Sequence, residues 1–255
     1  MRSSLEQEYF TAYYQPQFDI ASGRIIGVEA LVRWVRPAQD AVPPSEFIPI
    51  AESTGLINQL GESMLRIACT DCRVWQQRGL VDISVSVNVS PTQFRCPAFV
   101  ETILNILQEC ALEPRSLGIE LTEETVMRDF EEAADALHRL RQAGVRLAID
   151  DFGTGYSSLG YLKRFPVDRL KIDQSFIAGE ASEAGDQAIT RAIIRLSGGL
   201  NIDVTAEGVK KSEQLEFLAA ENCGSAQGHH FARPMPFGEF VETMSARNAE
   251  FSAAL

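Results

Sequence analysis

Four short stretches of the chain carry residue types suited to holding a divalent cation: Glu29-Ala30-Leu31, Asn88-Val89-Ser90, Glu120-Leu121-Thr122-Glu123 and Asp150-Asp151-Phe152-Gly153. Each sits at the C-terminal end of a run in which apolar and polar residues alternate, the pattern of a β-strand. Each delivers a hard oxygen donor there. Asp173 and Glu207 close two further runs of the same kind. One carboxylate at a strand end is ordinary; one per strand along the whole chain is the pattern of a barrel whose rim gathers metal ions. The donors include no cluster of histidine and cysteine, which favours magnesium or manganese over zinc.

The elements that must position these groups alternate along the chain. Strands are expected at 12–20, 24–34, 83–89, 118–121, 145–150, 169–173, 203–206 and 224–227. Helical periodicity occupies 57–77, 98–110, 131–143, 184–200, 212–220 and 238–247. Repeated β-then-α order gives a parallel sheet with helical crossovers. The first two strands lack a helix between them. Ala21-Ser22-Gly23 joins them as a hairpin turn would, so the first should run antiparallel to the second. The 255 residues are close to the roughly 250 of a single (β/α)8 barrel. The expected fold is α/β, a modified (β/α)8 TIM-like barrel with an antiparallel first strand, forming one domain over 1–255.

Strand parity says which residues face the lumen. Val85, Val87 and Val89 oppose Ser84, Ser86 and Asn88; Ile119 and Leu121 oppose Glu120 and Thr122; Val145, Leu147 and Ile149 oppose Arg146, Ala148 and Asp150. Leu170 and Ile172 oppose Lys171 and Asp173, and Val204 and Ala206 oppose Thr205 and Glu207. A half-solvated antiparallel sheet would show the same alternation, but the intervening helices require the sheet to be covered. The apolar set therefore faces the helices and the polar set the lumen. Glu29, Glu120, Asp150, Asp173 and Glu207 would repel one another there. Lys171 and Arg33 can offset two of them, and the remainder must protonate or bind cations. On this reasoning, loss of Glu29 should relieve repulsion in the metal-free protein. The adjacent Asp150 and Asp151 should point to opposite faces, unless the turn at Gly153-Thr154-Gly155 lets both reach the rim. An N-cap role for Asp151 fits less well, because the next helix begins nearer Ser157 or Ser158.

The net charge of −12 argues against binding a nucleic acid polymer or an anionic membrane, but not against a phosphate substrate, since cations reverse the local field. No stretch approaches the roughly 20 apolar residues of a membrane span, and no signal peptide opens the chain. Cys69, Cys72, Cys96, Cys110 and Cys223 are odd in number without a disulfide spacing, so reduced thiols and a cytosolic location are expected, the latter as a cytoplasmic protein or the cytosolic domain of an anchored one.

The ordered series Tyr13-Tyr14-Gln15-Pro16, Glu29-Ala30-Leu31-Val32-Arg33-Trp34, Pro44-Ser45-Glu46-Phe47-Ile48-Pro49, Asn88-Val89-Ser90 and Glu120-Leu121-Thr122-Glu123 resembles the EAL family of cyclic di-GMP phosphodiesterases. The series continues through Asp150 to Leu159, Leu170-Lys171-Ile172-Asp173, Ala206-Glu207-Gly208-Val209, Gln227-Gly228 and Arg233-Pro234-Met235-Pro236. The resemblance implies hydrolysis of cyclic di-GMP to linear pGpG by a two-metal, in-line attack of water, in bacterial second-messenger signalling. By carry-over, Glu29, Asn88, Glu120 and Asp150 would hold one magnesium or manganese ion, and Asp150, Asp151 and Glu207 a second. Lys171 would hold the attacking water and Glu207 would act as base. Gln15, Leu31, Arg33, Asp173 and Gln227 would contact substrate, and Glu123 would anchor the loop after Asp151. That loop and its helix would form a homodimer contact, and calcium should inhibit. The chain is either a small protein or a domain of a longer signalling protein with sensory or GGDEF domains before it. A receptor that binds cyclic di-GMP without cleaving it is the competing expectation, although the residues such receptors usually lose are retained. Two positions depart from the pattern: Lys210 replaces a glutamate and His229 an aromatic residue. A solvated rim position is favoured for Lys210. Packing or stacking is favoured over metal chelation for one of His229 and His230, and His138 is expected on a helix surface.

Overall fold

Eight strands close into a barrel in the computed structural model of the chain, which describes all residues except 8, 37–40, 129, 156–161, 163, 179–183 and 254–255. In chain order the elements are α1 (Arg2–Glu6), β1 (Phe10–Asp19), β2 (Ile25–Trp34), α2 (Pro44–Ser53), α3 (Ile57–Gln77), β3 (Ser84–Asn88), α4 (Pro91–Phe94) and α5 (Phe99–Glu109). There follow β4 (Leu117–Thr122), α6 (Glu123–Arg128), α7 (Phe130–Ala143), β5 (Arg146–Phe152), β6 (Arg169–Ile172) and α8 (Gln174–Ala178). The chain continues through α9 (Ala184–Leu200), β7 (Asp203–Ala206), α10 (Ser212–Ala220), β8 (Ser225–Ala226), β9 (Met235–Pro236) and α11 (Phe237–Ala253).

Strands β2 to β8 pair in parallel in sequence order, and β1 closes the ring by pairing antiparallel to both β2 and β8. The turn that reverses β1 is built as its sequence suggests. Gly23 takes φ +69°, and the Asp19 carboxylate accepts the Ser22 backbone N–H at 2.7 Å. The parity also holds. Val85, Val87, Ile119, Leu121, Leu147, Ile149, Leu170, Ile172 and Val204 are buried in the shell between barrel and helices. The α3 face carrying Met64, Ala68, Cys72 and Trp75 packs there too. The C-x-x-C pair is thus core: Cys69 and Cys72 are free thiols, and burial pushes Cys72 up to about 12. Helix α7 stops at Ala143 because Gly144 adopts φ +96°, closing the helix end.

Three features differ from expectation. Glu29 lies in the middle of β2, not at its end. It still reaches the rim because the ladder to β3 stops at Ala30, beyond which β2 continues as a two-stranded ribbon with β1 to Trp34. Second, helix α2 and the short helices α1, α4, α6 and α8 lie outside the expected elements; Pro44 at the first position of α2 is a start signal. Third, the step that lets both aspartates face the rim is a bulge in β5, not the glycines after it. Ile149 pairs with Leu170 and Phe152 with Ile172, so Asp150 and Asp151 together oppose Lys171, and Asp151 takes φ +53°. Aspartate is among the few side chains that adopt this left-handed region readily. The expected helix start near Ser157 or Ser158 lies outside the described residues. Among the described residues no helix is long and apolar enough to cross a membrane.

Candidate metal centre and adjoining groove

Parallel pairing staggers the strands, and the stagger gathers donors from several of them at one level. Asn88 pairs with Glu120, and Thr122 with Asp150. At the middle stands Lys171, with none of its side chain exposed. Its ammonium contacts Glu29 at 3.3 Å, Asp150 at 3.2 Å and Glu207 at 2.6 Å, and also binds Glu120. One cation therefore serves four carboxylates. Arg33, expected to offset a second charge, instead donates to the Val32 carbonyl at 2.8 Å and lies over the Tyr13 ring.

The carboxylates respond unequally. Burial raises Glu29, but the Lys171 ammonium and hydrogen bonds from Gln227 (2.6 Å) and Asn88 (2.5 Å) outweigh it and hold this carboxyl below its ordinary value. Glu120 is pushed up to about 7, chiefly by burial and then by Glu29 and Asp150 against the pull of Lys171. Asp151 rises to about 6 through burial and the charges of Asp150 and Asp173. Glu207 is raised by burial, with Lys171 opposing and Asp150 and Glu29 reinforcing. Burial lowers Lys171 but the four carboxylates more than reverse it, so the group stays an ammonium. The expectation that removing Glu29 relieves repulsion is therefore corrected: Glu29 is the carboxylate whose charge the surroundings favour.

Two triads of oxygen donors emerge, Glu29–Glu120–Asp150 and Asp150–Asp151–Glu207, each with its donor atoms within 4.8 Å of one another. They share Asp150. Hard oxygen donors, a shared carboxylate and more negative charge than one ammonium neutralises are what a pair of divalent cations with oxygen ligands requires, so the residues fit such a pair. Asn88 borders the first triad through its bond to Glu29. Gln227 spans both, donating also to Glu207 at 3.0 Å, while its own carbonyl oxygen is buried without a partner among the described residues. Glu123, buried at the start of α6, accepts the backbone N–H of Gly153 at 3.2 Å, and a side chain on Gly155 would touch its carboxylate.

The other expected residues lie around this centre. Gln15, across from Glu29 on β1, donates to the Ala232 carbonyl at 3.3 Å. Asp173 caps α8 by accepting the Ser175 N–H at 3.0 Å, and it neighbours Asp151. Leu31 and Arg33 line an apolar groove of 330 Å³ that runs from Asn88 and Glu120 out to Pro44, Ile48 and Met64. The α2 and α3 contributions to this groove were missed by sequence reasoning, although the Pro44–Pro49 stretch marked the place. Lys210 is exposed, and its backbone N–H donates to the Gln214 side-chain carbonyl at 2.7 Å. His229 and His230 are both exposed, and His230 packs edge-on to Phe231, as the packing expectation requires. His138 is exposed on α7.

A family model described as "EAL domain" matches residues 1–234. The chain belongs to the EAL domain family. Two curated family members from Pseudomonas aeruginosa are similar along nearly all of it. The bifunctional diguanylate cyclase/cyclic di-GMP phosphodiesterase MucR is 43% identical over 245 residues, 96% of this chain. The cyclic di-GMP phosphodiesterase NbdA is 39% identical over 246 residues, also 96%. The chain spans about a third of each, 36% and 31% of their lengths. A solved EAL structure, the PaMucR phosphodiesterase in complex with c-di-GMP, superposes with a TM-score of 0.91 at 44% identity, covering 94% of this chain and 97% of that one. The EAL domain protein of Listeria monocytogenes superposes with a TM-score of 0.83 at 31% identity, covering 96% of each chain.

Proposed function

We propose that this chain is a metal-dependent phosphodiesterase that opens cyclic di-GMP to linear pGpG. The observation that carries the reading is the pair of acidic triads sharing Asp150 around a buried lysine, in a chain that superposes closely on a family member solved with c-di-GMP. In this reading Glu29, Asn88, Glu120 and Asp150 hold one magnesium or manganese ion, and Asp150, Asp151 and Glu207 the other. When bound, the two ions would supply positive charge to the phosphate oxygens and acidify a water.

The protein residues supply the rest. Lys171, fixed by four carboxylates, presents a compact ammonium that positions the attacking water and balances charge as the phosphate arrives. Glu207 receives the water's proton at its carboxylate. Gln227 keeps Glu29 and Glu207 at a fixed separation through two hydrogen bonds from one amide nitrogen. Glu123 ties the chain after the bulge so that Asp151 stays directed at the centre. Arg33 and Gln15 stand at the rim for the phosphate and sugar, Asp173 borders the pocket, and the groove beyond Leu31 offers a nucleobase an apolar face. The reading extends to a cytosolic domain of a longer signalling protein and to a homodimer through the loop and helix after Asp151. Much of that loop falls at 156–161, outside the described residues. Incubation with cyclic di-GMP and magnesium, followed by chromatography, tests the activity. Linear pGpG is the expected product; a bound but intact ring would make the chain a receptor.

A further inference from the structure

The opposite mouth of the barrel holds a feature that the phosphodiesterase reading does not use. TIM-barrel lumens are normally filled by layers of bulky branched side chains. Here Ser84, Ser86, Gly118 and Ala148 present small or no side chains beside the polar Gln17, Arg146 and Arg169, and a cavity of 280 Å³ is left. The cavity runs from the N-terminal ends of the strands up to the underside of Glu120. A side chain at Gly118 would press on Ser86 Cβ at 3.1 Å, so the strands approach too closely for a larger residue there.

Its polar groups are unevenly satisfied. Gln17, 3% exposed, accepts from Arg169 Nη1 at 3.3 Å, which fixes the amide with its NH2 turned from the guanidinium. That Nε2 is buried without an acceptor among the described residues, and so is Arg169 Nε. Arg146 donates to Ser84 Oγ at 3.2 Å and adds a second guanidinium. The acids at the mouth are already engaged: Asp168 by Arg141 at 2.8 Å and the Leu147 N–H, and Asp203 by Arg169 at 3.4 Å. Arg146 and Arg169 therefore face a chamber whose two aspartates are already engaged, with Glu120 closing its upper end. Buried donors without acceptors cost free energy until an acceptor arrives.

We propose that this lower chamber is a second binding site, for a small oxyanion of the phosphate or carboxylate class, held by Gln17 Nε2, Arg169 and Arg146. The chamber lies below the lower limit of drug-sized pockets, about 300 Å³, and suits a compact ion better than a nucleotide.

Inorganic phosphate is the probe. Calorimetric titration into the metal-free chain, with chloride at matched ionic strength as control, should show saturable binding. Arg169→Gln should weaken it about tenfold or more, the loss of one charge-assisted hydrogen bond. Ala148→Leu should abolish it by filling the chamber without altering charge, and it decides the question should Arg169→Gln fail to fold by circular dichroism. Absence of saturable binding would mean that water alone fills the chamber. Equal binding by the parent and a folded Ala148→Leu would mean an adventitious ion only. Either result overturns the proposal.

Discussion

The two acidic triads share a residue yet are built differently. The first takes Glu29 from β2 and Glu120 from β4, each paired with β3, where both side chains are almost fully buried and β-ladder hydrogen bonds fix the backbone. The second takes Asp151 from a bulge at φ +53° and Glu207 from the residue just after β7, whose N–H still bonds the Ile172 carbonyl at 3.1 Å. Glu29 is also gripped by Lys171, Gln227 and Asn88, whereas Asp151 depends on a loop held by Glu123. The lesson is that one centre combines a position set by the fold with a position set by a loop. Groups held by ladders and second contacts lose little order on binding, while loop-borne ligands must be fixed at the expense of binding energy.

The largest effect should come from breaking the position set by the fold. Glu29→Ala should lower turnover by about a thousandfold or more, as expected for loss of a ligand to the reacting centre. Because the surroundings favour the Glu29 charge, this variant should also melt lower in its metal-free form. The sign follows from a depressed folded-state value: the stabilisation is present above the ordinary glutamate range and is lost as pH falls below that range through the lower folded-state value. Glu120→Gln, by contrast, should melt higher near neutral pH when metal-free, since Glu120 is raised to about 7. Paired thermal melts in chelator check both signs.

Lys171→Arg and Glu207→Gln separate charge balance from chemistry. A planar guanidinium cannot place its donors where a compact ammonium stood, so Lys171→Arg should keep metal and nucleotide binding but lose turnover. Lys171 is fully buried, so the longer side chain should also cost about 1–3 kcal/mol of stability through overpacking. Glu207→Gln should lose turnover together with affinity for the second ion. Calorimetry beside a pGpG assay distinguishes the two, and normal turnover by Lys171→Arg would reduce the lysine to a counter-charge.

Glu123→Ala probes the position set by the loop. It should weaken the second ion by about 10–100-fold while leaving the first unchanged, the usual scale for a residue that orients a ligand from behind. Equal weakening of both ions would erase the contrast. Calcium should bind yet inhibit, because its bonds of about 2.3–2.6 Å and larger coordination number do not reproduce the roughly 2.0–2.1 Å octahedron of magnesium. Turnover in calcium matching that in magnesium would contradict it.

Much of this was legible in the sequence because strand alternation is local. Glu120, Asp150 and Lys171 follow from counting residues along single strands. What was not legible depends on how strands meet. The exit of β2 from the barrel at Ala30 and the two-against-one bulge opposite Lys171 are properties of pairing, and neither strand records its partner's register. Lys171 as the single hub of four carboxylates, with Arg33 turned to Val32, likewise depends on side-chain reach across the lumen. The open lower chamber could have been suspected from the run of small residues at the strand starts, but only closure of the barrel brings them to one level.

The most direct test of the central claim is to titrate manganese into the metal-free chain while measuring binding by calorimetry and pGpG formation from cyclic di-GMP in parallel. The account predicts two binding steps, with turnover appearing only as the second, weaker step fills. Full turnover with one ion bound per chain, or a single step carrying all the activity, would contradict it.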